Sequence, residues 1–332
     1  MSFLDRLRSS PRALVTMGVL GGSFLAAIEA TIVATAMPTV VAQFGGLAHY
    51  SWVFSGYMLT STVTTPVWGR LADVYGRRRP YLVALSLFVL GSLLCGVSGS
   101  MTQLIVFRTL QGIGAGGMLP IGMVIIGDMF TLEERARAQA LFAGVWGVSS
   151  IAGPLVGAIL TESASWRWIF FLNLPFGLVP ALLVGRYLVD RLGENRGGVD
   201  YVGAGLLMGS VTALMLALNQ TGVPDASLSV GIVEILYGLA VVLGVAFVVL
   251  ERRTAHPILP LSLLGDRMVA TTTFAGALLG IAIFGALAFV PLYVQSALGR
   301  SAREAGSVLT PLLLGAVAIA CGSQGGELAV NR

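Results

Sequence analysis

The feature that most constrains this chain is a succession of long apolar runs separated by short stretches that carry arginine. A helix needs about 20 mostly apolar residues to cross the hydrocarbon core of a bilayer. Runs that qualify, or nearly so, are Ala13–Val41, Ser51–Trp68, Tyr81–Val97, Gln103–Ile126 and Ala138–Leu160. They are followed by Trp168–Leu188, Tyr201–Leu218, Leu228–Leu250, Met268–Val294 and Ala305–Cys321. The fold class expected from them is all-α: a polytopic membrane bundle of about ten helices. Composition excludes a chain of soluble domains. Only 11% of the residues are charged and 56% are hydrophobic, whereas a soluble protein carries about a quarter charged residues. The 43 glycines suit helices that approach one another closely in lipid.

Arg6, Arg8 and Arg12 precede the first run, as in a signal peptide. Ala13–Val41 is too long for a signal's apolar region and has no convincing small-residue cleavage site, so it reads as a retained first span. Orientation follows from the arginines, since the chain has no lysine. With the N-terminus in the cytoplasm and sides alternating, sixteen arginines fall on the cytoplasmic side, from Arg6 to Arg332. Only Arg167, Arg300 and Arg303 fall outside, and Arg108 lies within a span. Both termini are therefore expected in the cytoplasm, and the bilayer is the partner the surface is built for. The net charge of +4 is spread over loops rather than gathered on one face, so no nucleic-acid partner is expected.

Local signals place some boundaries. Thr131-Leu-Glu-Glu134 and Ser301-Ala-Arg-Glu304 fit the capping box ahead of the fifth and tenth runs. Trp166, Trp168, Phe170 and Phe171 read as an interfacial aromatic anchor. Asp128, Glu133 and Glu134 read as solvated loop charge. Cys95 and Cys321 read as small hydrophobes. There is no His/Cys/Asp cluster at ligand spacing and no phosphate-binding loop, so neither a metal nor another cofactor is expected. No nucleophile–base pair can be placed at one depth, which leaves an enzyme reading without support.

Four segments carry chemistry. Between the second and third runs stands Gly69-Arg-Leu-Ala-Asp73-Val-Tyr-Gly76-Arg77-Arg78-Arg79. Its glycines allow a tight turn, its arginines hold an anionic membrane face, and Asp73 can cap or pair. A plain basic loop is the simpler alternative. The fourth run contains Arg108-Thr-Leu-Gln111-Gly112-Ile-Gly114-Ala-Gly116-Gly117. An arginine within a span is costly and usually kept for a task, unless it snorkels to the interface. Gly112 and Gly116 make a small-xxx-small face. The fifth run has Gly144, Gly153, Pro154, Gly157 and Ala158, glycines for close approach and a proline that bends a helix. The first run has Leu25-Ala-Ala-Ile-Glu29-Ala-Thr31-Ile32-Val33-Ala-Thr-Ala-Met-Pro38. A carboxyl in mid-span is costly when ionised, so a proton and a cation would compete for it. The alternative is a constant Glu29–Arg108 ion pair that only fixes packing.

These segments resemble the major facilitator superfamily. Residues 69–79 resemble its signature loop G-x-L-x-D-x-x-G-R-R, and Arg108 to Gly114 its fourth-helix motif R-x-x-Q-G-x-G. Gly144 to Ala158 resembles the antiporter signature G-x(8)-G-P-x-x-G-G, with Ala158 in place of the last glycine. The first run is similar to L-D-x-T-I-V-x-x-A-L-P of the fourteen-helix drug:proton antiporters, with Glu29 where that family usually shows aspartate. Ser165-Trp166-Arg167-Trp168-Ile-Phe-Phe-Leu-Asn173-Leu-Pro175 resembles its W-R-W-I-F-x-x-N-x-P segment. Glu251-Arg252-Arg253 with His256-Pro257 to Pro260 resembles the loop after its two central helices. Tyr293 to Pro311 resembles its ninth and tenth helices.

The resemblance implies a six-helix bundle over 1–190, two central linker helices over 191–267, and the first two helices of a second bundle over 268–332. The second half is then incomplete, and a shortened gene product, a partner chain or missing C-terminal helices are each expected alternatives. The implied function is a proton-coupled antiporter exporting amphipathic, often cationic, drugs across the cytoplasmic membrane. Glu29 and Arg108 would couple proton and cation. Gly69, Asp73, Gly76, Arg77 and Arg78 would form a cytoplasmic gate, Gly144, Gly153, Pro154 and Gly157 a flexing or sealing helix, and Gln111, Gly112 and Gly116 a packing face. Alternatives are an exporter of one endogenous or lipid-like compound, or a fragment that does not transport.

Overall fold

A computed structural model describes residues 11–46, 49–190, 200–221, 229–254 and 265–300, with Glu304, Val308, Pro311 and Gly315 as single positions beyond. Every regular element among the described residues is an α-helix. In chain order these are α1 (Pro11–Phe44), α2 (Tyr50–Tyr75), α3 (Arg78–Gly96), α4 (Met101–Met129) and α5 (Leu132–Ser163). Then come α6 (Trp168–Phe171), α7 (Asn173–Tyr187), α8 (Tyr201–Gln220), α9 (Val230–Glu251) and α10 (Arg267–Ser296). Helix covers the first nine expected runs but for a residue or two at their ends, the sixth being broken at Leu172, while Leu228, where the eighth begins, lies outside the described residues. The tenth run and its Ser301 cap lie outside the described residues.

Helix ends follow their capping chemistry. Pro11 opens α1, where a missing N–H costs nothing. Ser100 Oγ accepts from the Gln103 amide at the start of α4, and the Thr131/Glu134 capping box opens α5 as expected. Asp200 and Asp266 cap α8 and α10 by accepting from the amides of Gly203 and Met268.

By length and apolarity, α1, α3, α4, α5, α8, α9 and the α6–α7 stretch Trp168–Tyr187 are each sufficient to cross a membrane. The chain is a multi-pass membrane protein. Helix α2, at 26 residues, has the length but is diluted by hydroxyl residues. The reason is in its packing against α4. Thr60, Thr64 and Thr65 donate to the carbonyls of Thr109, Ile113 and Gly116 at 2.9, 3.3 and 3.0 Å. Trp68 Nε1 donates to Ile113 O at 2.8 Å. Each such interhelical bond contributes about 0.6 kcal/mol in a membrane bundle. The polarity that lowers α2's apolar signal is thus spent on a neighbour.

Helices α1 and α4 form the centre. The apolar window of α1 is 72% buried and that of α4 61%, against 22% for α8 and 11% for α9. Helix α9 is at once the most apolar span and the least buried, because lipid is its solvent. Around α1 pack α4, α5 and α7; around α4 pack α2, α3 and α1; α8 and α9 pair with each other. Glycines set the spacing. On α4, Gly112 and Gly116 lie under the Tyr57 and Ser61 carbonyls of α2, while Gly114 lies against the backbone of Ala84 and Phe88 in α3. Gly153 and Gly157 of α5 lie against Thr31, Ile32 and Thr35 of α1.

Two apolar clusters stack along the bundle. One includes Val19, Leu25, Tyr81, Phe88 and Ile121; the other includes Ile28, Ile32, Met37, Leu104, Trp166 and Phe170. The aromatic segment expected at the interface is divided by this core. Trp166 and Phe170 are buried, with Trp166 Nε1 donating to Gln43 Oε1 at 2.6 Å. Only Trp168 is largely exposed. An indole whose N–H finds a partner inside the bundle has no need of the interface.

Candidate functional site

At the seam between the two apolar clusters, Glu29 of α1 meets Arg108 of α4. Both side chains are sealed from solvent, at 0% and 2% exposure. Arg108 Nη1 donates to Glu29 Oε1 at 2.5 Å and to Gln111 Oε1 at 2.8 Å. Arg108 Nε donates to the Val53 carbonyl of α2 at 3.4 Å. The guanidinium also sits 4.1 Å from the centre of the Tyr57 ring, one turn further along α2. The second oxygen of Glu29 accepts from Asn173 Nδ2 of α7 at 2.5 Å. That amide also donates to Ser92 Oγ of α3 at 2.8 Å, and the hydroxyl in turn donates to the Phe170 carbonyl at 2.9 Å. Side chains or backbone from α1, α2, α3, α4, α6 and α7 thus converge on one carboxylate and one guanidinium. Snorkelling of Arg108 is excluded by its burial. A buried pair is tolerable only when its remaining donors and acceptors are met, and here both carboxylate oxygens are engaged.

A cavity of about 210 Å³ adjoins this pair between α1, α2, α4 and α5. Phe54, Tyr57, Met58, Trp146 and Arg108 are among its walls, and Glu29 is not. Tyr57 therefore has Arg108 against its ring and also faces the cavity.

The second predicted group gathers at the end of α2. Gly69 and Asp73 are helical, not part of a loop as expected; the connection is Gly76 and Arg77, and α3 begins at Arg78. Ordinary helix propensity carries α2 on to Tyr75, and only Gly76 has the positive φ, +85°, that breaks it. Arg77 pairs with Asp73 at 2.9 Å and with Asp128 at 3.1 Å, and donates to the Ala72 carbonyl at 2.6 Å. Asp128 is exposed, as expected of a solvated charge, but it occupies the last turn of α4 rather than a loop, and it takes Arg77. For Arg78 it is the backbone N–H, not the side chain, that is held, by Asp190 Oδ1 at 2.8 Å. That carboxylate lies directly under Gly76. Beside this cluster is a larger surface pocket of about 490 Å³ bounded by Arg12, Arg77, Asp128 and Asp190, remote from the Glu29 pair.

Of the fifth-helix residues, Gly153 and Gly157 meet α1 within one turn to two of Glu29, whereas a side chain at Gly144 would meet open space. Pro154 lies inside a helix that runs on to Ser163. Sequence reading missed Asn173, Ser92, Tyr57, Asp128 and Asp190 as site residues. Asn173 had a signal, since it stands in the segment 165–175 already singled out, but nothing local tied it to Glu29. Among the described residues no group of three or more His, Cys, Asp and Glu is placed to hold a metal.

The fold and site define a multi-pass helical membrane bundle with an acid and an arginine paired inside it, where charge is costly and usually kept for a function. Residues 19–332 match the Major Facilitator Superfamily, and the chain belongs to that family. It is 38% identical over 307 residues to the Multidrug transporter protein MdtP of Bacillus subtilis, covering 92% of this chain and 57% of the relative. It is 39% identical over 303 residues to Multidrug resistance protein 3 of the same organism, covering 91% and 59%. The chain therefore spans less than two thirds of the length of these relatives. Among solved structures, the human organic anion transporter MFSD10 aligns at a TM-score of 0.59 and 15% identity, over 97% of this chain and 75% of that one. At that identity the likeness establishes the shared fold.

Proposed function

We propose that this chain acts in proton-coupled export of amphipathic, often cationic, drug-like molecules. The observation that carries the reading is the buried Glu29–Arg108 pair beside an aromatic-lined cavity, and the names of the Bacillus relatives support it. With Glu29 ionised, the pair is neutral overall. A proton on Glu29 leaves the guanidinium unbalanced at the cavity wall. A cation about 6 Å away would then be repelled by roughly 2–3 kcal/mol at an effective dielectric of about 20, or up to about a hundredfold in affinity. Proton and cationic substrate exclude one another electrostatically, which is the requirement for antiport.

In this reading the Asp73–Arg77–Asp128 cluster holds the cytoplasmic ends of α2 and α4 together, and Asp190 ties the end of α7 to the start of α3. Gly153, Pro154 and Gly157 let α5 slide or seal against α1. The arginine asymmetry supports cytoplasmic termini in the cell membrane, and the helix pair α8–α9 supports the linker assignment within a fourteen-helix plan with bundles over 1–190 and 268–332. The test is efflux of a fluorescent lipophilic cation from pump-deficient cells expressing the chain, with and without an uncoupler. Uncoupler-sensitive efflux that disappears in Glu29→Gln is the expected result. Efflux unchanged in Glu29→Gln removes the coupling role, and labelling of a tag after Arg332 from outside intact cells removes the orientation.

A further inference from the structure

The Glu29 carboxylate has two unlike oxygens. Oε1 is taken by Arg108, a cation that has no acceptor to offer a proton. Oε2 accepts from the amide of Asn173, while Gln111, the other side-chain amide that bears on Glu29, gives its own oxygen to Arg108. A proton that arrives on Glu29 while the Arg108 pair stays closed must therefore bind Oε2, and it arrives where an N–H is already pointing. Two donors cannot share that contact. The other charged or titratable groups around Glu29 are Arg108 from α4, Tyr57 from α2 and Cys95 from α3. Tyr57 lies against Arg108, and the Cys95 thiol donates to Gln111 Oε1 at 3.8 Å. Neither stands at Oε2.

We infer that Asn173, steadied by Ser92, reads the protonation state of Glu29 by turning its side-chain amide. When Glu29 is ionised, Nδ2 donates to Oε2 and to Ser92 Oγ, as found here. When a proton adds to Oε2, the amide turns by half a revolution about Cβ–Cγ, and its Oδ1 accepts the new O–H. Ser92 then loses its donor and turns its own hydroxyl towards Oδ1, which releases the Phe170 carbonyl. No bond other than Oε2–H forms, and the proton stays on Glu29. The released carbonyl belongs to α6, just before the break at Leu172 that separates it from α7. The Phe170 ring is also 6.0 Å from the Arg108 guanidinium and packs edge-on against Trp166. Protonation at the acid is thereby passed to the α6–α7 junction without any displacement of Arg108. Asn173 is a positioning residue in this scheme, and the inference rests on Glu29 being the proton site proposed above.

The test uses infrared difference spectroscopy of the purified full chain during acid titration, which needs no transport. The carboxylic band that vanishes in Glu29→Gln identifies Glu29. In Asn173→Leu, which can neither donate nor accept, the midpoint of that band should move by about one pH unit, a tenfold change in proton affinity. The side-chain amide change that accompanies it in the native spectrum should vanish. Ser92→Ala, a gentler variant, should move the midpoint by less and keep the amide change. A Glu29 band that titrates at the same pH in the native chain, Asn173→Leu and Ser92→Ala overturns the inference, whatever the efflux assay shows. A chain whose Glu29 band behaves as expected but which exports nothing overturns the transport reading instead.

Discussion

Replacing Arg108 by methionine tests whether the centre of the bundle is a working charge pair. The substitution keeps an unbranched apolar stem and removes the charged donor that fills Glu29 Oε1, leaving only neutral amides, Asn173 at 2.5 Å among them, beside the carboxylate. Glu29 is fully buried, so the loss of Arg108 leaves its charge away from bulk water. Removing one member of a buried pair costs about 3–5 kcal/mol. At about 2 °C for each kcal/mol in a chain of this length, the midpoint of thermal unfolding should fall by roughly 6–10 °C. The assay is fluorescence-detected unfolding of the purified protein in a mild detergent. A neutral carboxyl costs far less to bury unpaired than a carboxylate, so the deficit should narrow on acidification. Glu29→Gln leaves Arg108 unpaired in the same way and should carry a similar deficit. The double variant should then be less destabilised than the sum of the two by about 3 kcal/mol or more. Additivity of the two changes within about 0.5 kcal/mol would refute the pairing.

Other outcomes follow from the same geometry. Gly114→Leu drives a side chain into the backbone of Ala84 and Phe88 and should cost at least about 1–3 kcal/mol, seen as loss of folded protein in membranes. Gly144→Ala meets nothing within 4 Å and should gain up to about 1 kcal/mol from helix propensity, seen as a raised unfolding midpoint. Gly76→Ala must hold φ near +85° with the Asp190 carboxylate beneath it, and should lose about 1–2 kcal/mol by the same measurement. Tyr57→Leu should lose the contribution of a desolvated cation–π contact, about 1–2 kcal/mol, while Tyr57→Phe keeps most of it. Equal losses in the two would show that the ring face does not hold Arg108.

The helices were legible wherever length and apolarity coincide, because in lipid a long apolar run satisfies its own backbone as a helix. Helix α2 was the hardest to delimit, since its threonines lower its apolarity for the sake of α4 and its end runs past Trp68 to Tyr75. Gly112 and Gly116 stand four apart and so share one side of a helix, the side that lies against α2. Asp73 and Gly69 were placed in a loop because arginine and glycine density signals a turn, whereas only Gly76 supplies one.

What the sequence by itself determined is the membrane class, most of the helical runs, the family, and the presence of two charged residues, Glu29 and Arg108, within spans, where charge is costly. Those properties are written in local composition and spacing, and each residue carries its cost wherever it is placed. What only the tertiary structure decided is who meets whom. Asn173 lies 144 residues from Glu29, Tyr57 and Ser92 sit on two further helices, and Asp128 and Asp190 reach Arg77 and the Arg78 amide from the ends of α4 and α7. No periodicity links positions so far apart. Their juxtaposition comes from glycine-lined contacts that bring helices close, and from the need of a buried carboxylate for a donor on each oxygen.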